Sequence, residues 1–112
     1  MKTLADETLE QVALFLKCMS EVSRLKILRL LHDGEKSASD IIAETGAGQS
    51  NISKHLSILM ANHLVTSRKE GTSIYYKIAD PNVTSICDKV CRSIAERIRQ
   101  AKSMLKNIER SV

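Results

Sequence analysis

A change of hydrophobic period in the middle of the chain most constrains how it can fold. Apolar residues recur every three or four positions as far as residue 61, which is the spacing of amphipathic helices. Between residues 64 and 78 the pattern changes to β-branched and aromatic residues around a turn at Gly71, which predicts a β-hairpin. Helical spacing then returns and continues from residue 81 to residue 108. The chain is therefore predicted to be mainly α with one small hairpin.

Turn and capping residues mark the ends of five predicted helices. Residues with short polar side chains stand where the helices begin, and glycines stand where two of them end. The first helix spans residues 6–18, and the order of elements is α-α-α-α-β-β-α. The predicted start positions are Ser20 for the second helix, Ser37 or Ser39 for the third, Gln49 or Ser50 for the fourth, and Asp80 with Pro81 for the last. The second helix is predicted to end before Gly34 and the third at Gly46.

The length and composition allow one domain with an aliphatic core. The 112 residues include one Phe, two Tyr and no Trp, which favours helices packing on helices. The first helix is apolar on two sides, and the last helix is long enough to extend beyond the domain. We therefore expect a single domain over residues 1–112 that forms a homodimer, with residues 1–19 and 81–108 as its dimerisation helices.

The fourth helix carries the polar side chains that indicate a nucleic-acid contact. A short helix, a glycine turn and a second helix form a helix-turn-helix, whose second helix enters the major groove. Amide, hydroxyl and ammonium groups on that helix bind base edges and phosphates. The predicted DNA-binding side chains of the fourth helix are those of Gln49, Ser50, Asn51, Ser53 and Lys54.

Three further residues complete the predicted DNA surface. Arg68 and Lys69, placed at the hairpin tip, are expected to reach a phosphate or the minor groove. His55 is expected to face DNA or its backbone. The ordered elements thus predict a winged helix-turn-helix that binds duplex DNA. The alternative is that these residues form an ordinary solvated surface of a three-helix bundle.

The distribution of charge agrees with a polyanionic partner. The net charge is +4, and the basic excess lies in the second half of the chain. Residues 49–78 hold four basic and one acidic side chain, whereas residues 1–48 hold six basic and eight acidic ones. A modest basic excess also occurs on solvated surfaces, so this signal is weak by itself.

Three segments together resemble the ArsR/SmtB family of bacterial metal- and thiol-responsive repressors. They are residues 16–28 (LKCMSEVSRLKIL), residues 49–56 (QSNISKHL) and residues 68–76 (RKEGTSIYY). The resemblance extends over about residues 5–105, and the 49–56 helix at a fixed distance from the wing is its most specific part. It implies a homodimer with the first and last helices at the interface. It also implies operator DNA that is bound by the fourth helix and wing and released when an inducer binds.

The known metal sites of that family do not transfer to this chain. In its zinc-sensing branch the last helix supplies Asp and His ligands, but the matching positions here are Asp80, Asn82, Ser93 and Glu96, which suit tetrahedral Zn²⁺ poorly. The paired Cys of its metalloid branch are also absent, because residues 37–48 contain no Cys. Neither site is predicted.

The three cysteines are the remaining candidates for recognising an inducer. Cys87 and Cys91 project from the same face of the last helix, and Cys18 ends the first helix, so three sulfurs are able to converge in the dimer. Such a site suits As(III), Sb(III) or another thiophilic ion as an inducer, with no obligatory cofactor. Alternatively, Lys89 and Arg92 favour thiolate, and the cysteines sense oxidants or persulfides. A third interpretation is that the thiols only fill the core.

Other functional classes have less support in the sequence. An enzyme is not expected, because the chain shows no nucleophile–His–acid set and no glycine-rich phosphate loop. No segment approaches the roughly 18 apolar residues of a membrane helix, and no secretion signal is evident, so we expect a cytoplasmic protein with free thiols and no membrane contact. A protein-interaction module without DNA binding is the remote alternative.

Overall fold

The computed structural model describes residues 4–111. Residues 1–3 and 112, which the predicted domain includes, lie outside the described residues. Within residues 4–111 the chain forms five helices and three strands, and the predicted mainly α fold with a small β-wing is confirmed. The helices are α1 (Asp6–Cys18), α2 (Val22–Leu31), α3 (Ala38–Thr45), α4 (Gln49–Ala61) and α5 (Pro81–Ser111), and the strands are β1 (Lys36–Ser37), β2 (Val65–Glu70) and β3 (Ser73–Ile78).

Two side-chain caps and one glycine stand at three of the predicted helix boundaries. The Ser37 hydroxyl accepts the backbone N–H of Asp40 at 3.1 Å and caps α3. Asp80 accepts the backbone N–H of Asn82 at 2.9 Å and caps α5 in the same way. Gly46 ends α3 with a φ of 68°, a left-handed conformation that favours glycine. These three predictions are confirmed.

The predicted cap of the second helix is wrong. Helix α2 begins at Val22, and Glu21 stands at its cap position without a side-chain hydrogen bond to the backbone N–H groups of the first turn. The Ser20 hydroxyl instead donates to the Lys17 carbonyl at 2.6 Å. Ser20 therefore completes the end of α1, because the last carbonyls of a helix also need hydrogen-bond donors.

The wing has one strand more than the sequence predicted. Strand β1 pairs antiparallel with β3, with Lys36 opposite Tyr76, and the sheet order is β1-β3-β2. A strand of two residues is too short to leave a periodic pattern in the sequence, so the hairpin prediction did not include it.

The predicted hairpin itself is confirmed. Strands β2 and β3 pair from Val65 opposite Ile78 to Glu70 opposite Ser73. Gly71 has a φ of 62° in the two-residue turn between them. The register that the turn sets at Glu70 and Ser73 continues without a break to the other end of the hairpin.

The core is built from aliphatic side chains of α2, α3, α4, the start of β2 and the start of α5. Tyr76 is its single buried aromatic side chain among the described residues. The predicted aliphatic core is therefore confirmed. The most deeply buried side chains are Ile27, Leu31, Ile41, Leu56, Leu59, Leu64, Val65 and Val83.

The two terminal helices leave apolar faces exposed. Helix α1 buries only Cys18, and α5 buries only Val83. The radius of gyration is 17.9 Å, whereas a compact domain of this size has about 13 Å. The difference arises because most of α5 projects beyond the core. Within residues 4–111 no helix has the length and hydrophobicity that a membrane-spanning segment needs.

Candidate nucleic-acid interface and thiol site

Helix α4 presents a continuous polar face to solvent. Its buried face carries Ile52, Leu56 and Leu59, which anchor the helix in the core. Gly48 stands at its cap position without a side-chain hydrogen bond, so the backbone N–H groups of the first turn have no side-chain acceptor there. Such a helix end attracts phosphate. The exposed polar side chains include all five of the non-histidine residues predicted on this helix, Gln49, Ser50, Asn51, Ser53 and Lys54, and also Ser57.

The turn between α3 and α4 holds the two helices in a fixed relation. The Thr45 hydroxyl donates to the Ile41 carbonyl at 2.8 Å and accepts the Ala47 N–H at 3.3 Å. One side chain therefore connects the end of α3 to the segment that leads into α4. Thr45 was not among the predicted residues, because neither contact follows from helical periodicity.

His55 does not belong to the exposed face, and this prediction is wrong. Its side chain is 5% exposed and lies 3.4 Å from the Arg24 guanidinium through Nδ1. Helical periodicity places position 55 near the boundary of the buried face, and a buried polar partner from α2 decides its orientation. His55 thus connects α4 to α2 and does not face outward to a nucleic acid.

Arg24 is the centre of that buried contact, and sequence reasoning missed it. Its Nε donates to the Cys18 carbonyl, and its Nη1 donates to Glu21 Oε2 at 3.1 Å. The guanidinium thereby joins the end of α1, the start of α2 and the inner side of α4. A basic residue that interrupts the apolar pattern of α2 is the only sequence signal for it.

Arg68 lies within β2, opposite Tyr75, and not in the turn where it was predicted. Its guanidinium donates to both carboxylate oxygens of Glu35 at 2.7 and 2.8 Å and to Glu70 at 2.7 Å. It also lies 4.7 Å from the Tyr75 ring centroid. These hydrogen bonds from Arg68 hold the pKa of the Glu35 carboxyl below its usual value. The charge of Arg68 is therefore already paired on the wing.

Lys69 occupies the position next to the turn, opposite Ile74. It is exposed and forms no salt bridge with another residue in the range 4–111. Of the two predicted wing cations, Lys69 is therefore the one whose charge is available without breaking an ion pair.

The three cysteines are free thiols in different environments. Cys18 is buried, and its Sγ lies 3.8 Å from the Ile58 carbonyl oxygen. Cys87 is half-buried, with its Sγ 3.8 Å from the Met19 sulfur, and Cys91 is exposed. Burial raises the pKa of both the Cys18 and the Cys87 thiols, and the neighbouring Cys91 raises that of Cys87 further.

The described residues bear on two predictions about the thiols. Within one chain, no group of three or more His, Cys, Asp or Glu side chains suited to a metal ion occurs among residues 4–111. The convergence of Cys18 with Cys87 and Cys91 in the dimer stays a prediction. The pKa of Cys87 is raised, whereas Lys89 and Arg92 were expected to favour its thiolate. Arg92 is directed to Asp88 at 2.9 Å, which leaves burial as the larger influence on Cys87.

Comparisons with known proteins agree with this architecture. A family model described as "Bacterial regulatory protein, arsR family" matches residues 21–67. The arsenical resistance operon repressor of Staphylococcus aureus is 38% identical over 69 residues, which are 62% of this chain and 66% of that protein. The transcriptional repressor SmtB homolog of Synechocystis is 30% identical over 87 residues, 78% of this chain and 66% of that protein. This chain thus spans just under two thirds of the length of these relatives.

A solved structure shares the fold over most of both chains. It is the homodimeric winged helix-turn-helix DNA-binding domain of Mb0332 from Mycobacterium bovis, with a TM-score of 0.78 and 33% sequence identity, covering 89% of this chain and 95% of that one. The family-model match spans residues 21–67, and the structural match covers a larger share, 89%, of this chain. The chain therefore belongs to the arsR family of bacterial regulatory proteins, a family of DNA-binding transcriptional regulators.

Proposed function

We propose that this protein is a homodimeric cytoplasmic repressor that binds operator DNA and is released when a thiophilic inducer binds its cysteines. The observation that carries the proposal is the exposed polar face of α4. This helix begins without a side-chain cap, and the same domain carries a basic wing. Such an arrangement suits a major groove flanked by phosphates.

Two apolar faces support the homodimer. Leu9, Val12, Leu14 and Leu16 of α1 are 37–54% exposed. Along α5 a single stripe of exposed apolar side chains continues to the end of the helix. A second copy of the chain would cover both faces, as the homodimeric assembly of the Mycobacterium bovis relative illustrates. The α5 stripe consists of Ile86, Val90, Ile94, Ile98, Leu105 and Ile108.

The cysteine pair supports a soft ion as the inducer. Cys87 and Cys91 line the same cavity, and thiolates are preferred ligands of soft ions such as As(III). Burial raises the pKa of Cys87, which lowers the thiolate fraction on which oxidation and persulfidation depend. A soft ion displaces the thiol proton as it binds, so a raised pKa weakens but does not prevent its capture. The arsenical resistance repressor from Staphylococcus aureus supports the same class of inducer.

The DNA-binding part is tested with Ser53→Ala and Lys54→Ala. Each variant should weaken operator binding and leave the dimer intact, and Lys54→Ala should also reduce the slope of affinity against salt by about one. Lys106→Ala, the same change near the end of α5, is the control and should leave the slope unchanged. An electrophoretic mobility shift across a salt series measures both quantities. Equal affinity of all variants would contradict the assignment.

The inducer part is tested with a Cys87→Ser, Cys91→Ser double variant. It should bind the operator as the wild-type protein does but should stay bound when arsenite is added. Transcription from an operator-linked reporter, measured with and without the protein, separates repression from activation. Release of the double variant by arsenite to the wild-type extent would overturn the thiol mechanism.

A further inference from the structure

A cavity of about 520 Å³ lies between α2 and the first third of α5. Leu25 and Leu28 from α2 contribute apolar surface, and Cys87 and Cys91 from α5 contribute both thiols to the same space. Cavities of about 300–1,000 Å³ are typical of sites for small organic molecules. An isolated arsenic or metal ion bound to two sulfurs would fill only a small part of this volume.

The charges around the cavity nearly balance. Lys26 and Arg29 line it on the α2 side, and Asp33 and Asp88 line it as well. Asp88 is already paired with Arg92 at 2.9 Å. With Arg92 counted beside Asp88, three cations face two carboxylates, so the surroundings do not favour a cationic ligand, and size and apolar surface are the properties by which this cavity selects a neutral one.

The cavity offers two thiols and no third one. The Cys18 sulfur lies 3.8 Å from the Ile58 carbonyl oxygen and does not line the cavity. Residues four apart on a helix have Cβ atoms about 5–6 Å apart, whereas a disulfide needs about 3.5–4.5 Å. A direct bond between Cys87 and Cys91 therefore requires distortion of α5, but an atom placed between the two sulfurs does not.

We propose that this cavity binds trivalent arsenicals that carry one organic substituent. Such a compound has two exchangeable hydroxyls on arsenic, which matches the two thiols, and its substituent would occupy the apolar part of the cavity beside Leu25 and Leu28. The inference rests on the proposed response to thiophilic inducers and specifies the ligand of that same pair.

The reaction balances without an oxidant or a reductant. An arsenical R–As(OH)₂ reacts with the Cys87 and Cys91 thiols, so that two As–O bonds break and two As–S bonds form. Each thiol proton leaves with a hydroxyl as water, and arsenic stays trivalent. Inorganic arsenite has a third exchangeable hydroxyl, for which the cavity supplies no thiol.

The experiment compares phenylarsine oxide, which hydrates to this form, with arsenite. The protein is kept reduced with a thiol-free phosphine, and binding is measured by intact mass across a titration with each arsenical. We expect phenylarsine oxide to bind at least about tenfold more tightly than arsenite, because its phenyl group removes apolar surface from water. The bound form should gain one phenylarsenic group and lose two hydrogens, and Cys91→Ser should abolish this product.

Variants that fill the cavity separate the substituent from the thiols. Leu25→Trp should reduce affinity for phenylarsine oxide about tenfold relative to arsenite, and Ile74→Trp on the wing is the matched control. Val22→Phe, at a position that is 68% exposed and also lines the cavity, is a second variant in case Leu25→Trp does not fold.

Three outcomes separate binding of organic arsenicals in the cavity from the proposed general response to thiophilic inducers. A phenylarsine preference that only the cavity-filling variants remove supports the inference. Equal binding of both arsenicals, unaffected by Leu25→Trp and Val22→Phe, overturns it and leaves a general thiophilic inducer in place. Failure of both arsenicals to modify Cys87 and Cys91 overturns the inference together with the proposed inducer mechanism.

Discussion

At the scale of single residues, the buried guanidinium of Arg24 is the most consequential contact. The residue is 8% exposed and reaches the Cys18 carbonyl, the Glu21 carboxylate and His55 Nδ1. A buried polar group that loses its partner costs about 1–3 kcal/mol. Arg24 therefore stabilises the junction at which α1, α2 and α4 meet.

Arg24→Met should lower the free energy of unfolding by about 1–3 kcal/mol, because it leaves buried acceptors of Cys18 and His55 without their donor. Arg92→Met is the control, since its side chain is 81% exposed in an ion pair with Asp88 and should change stability by less than about 1 kcal/mol. Urea unfolding at one fixed protein concentration measures both. Similar losses in the two variants would show that the buried contact contributes nothing.

The Cys87 thiol has a pH dependence whose sign follows from burial. Its folded-state pKa is raised above the usual 9.0 because burial and Cys91 disfavour the thiolate. The protonated thiol thus stabilises the fold below the ordinary pKa, and this contribution is lost as pH rises through the raised value.

Alkylation of Cys87 by iodoacetamide should therefore reach its half-maximal rate at a higher pH in the folded protein than in urea. The measurement is peptide mass spectrometry of the Cys87 peptide across a pH series that extends above 9.0. Coincident profiles in the folded and unfolded protein would be inconsistent with the raised pKa.

At the scale of elements, the wing is tied to the loop before β1 by its own ion pairs. Glu35 binds Arg68 through both carboxylate oxygens, and Glu70 binds it from the same strand. A wing cation held by two carboxylates contributes little to the attraction of phosphate. Lys69 is left as the available charge near the turn.

Glu35→Gln should leave Arg68 with Glu70 as its one remaining carboxylate partner in the wing, and should therefore raise affinity for operator DNA and steepen its dependence on salt by up to about one phosphate contact. Glu109→Gln, the same charge change near the end of α5, is the control for a simple change in net charge. Fluorescence anisotropy with a labelled duplex across a salt series measures the slope. An equal effect of both substitutions would show that Arg68 gains no DNA contact.

At the scale of the whole molecule, the projecting α5 needs a partner surface. Ile94 and Ile98 lie on the same apolar stripe and are 48% and 51% exposed, which is unusual for large apolar side chains in a domain core. Exposed apolar patches of this extent mark interaction surfaces. The proposed homodimer would bring two α4 helices to one duplex, with half-sites about one helical turn apart.

Ile98→Glu should convert the dimer to a monomer, because it places a charge in the middle of the apolar stripe. Operator affinity should then fall at least about tenfold, since each monomer contacts a single half-site. Ser103→Glu, which lies away from the stripe on α5, should remain dimeric. Sedimentation velocity measures the oligomeric state, and a dimeric Ile98→Glu variant would contradict the proposed interface.

The sequence by itself determined the order of the five helices and the hairpin, and the polar face of α4. Both depend on local periodicity and on caps such as Ser37, Asp80 and Gly46, which act within a few residues along the chain. The exposed positions of Ser53 and Lys54 follow directly from the buried stripe on the same helix. Such features can be predicted because the information lies within a single element.

Only the tertiary structure decided which polar groups are paired. His55 turns toward Arg24, Arg68 is held by Glu35, and the Cys87 sulfur contacts the Met19 sulfur. The two residues of each pair are 31, 33 and 68 positions apart in the chain, so no helical or strand period connects them. Burial and charge pairing across packed elements are set by how those elements meet in space, which local sequence patterns do not encode.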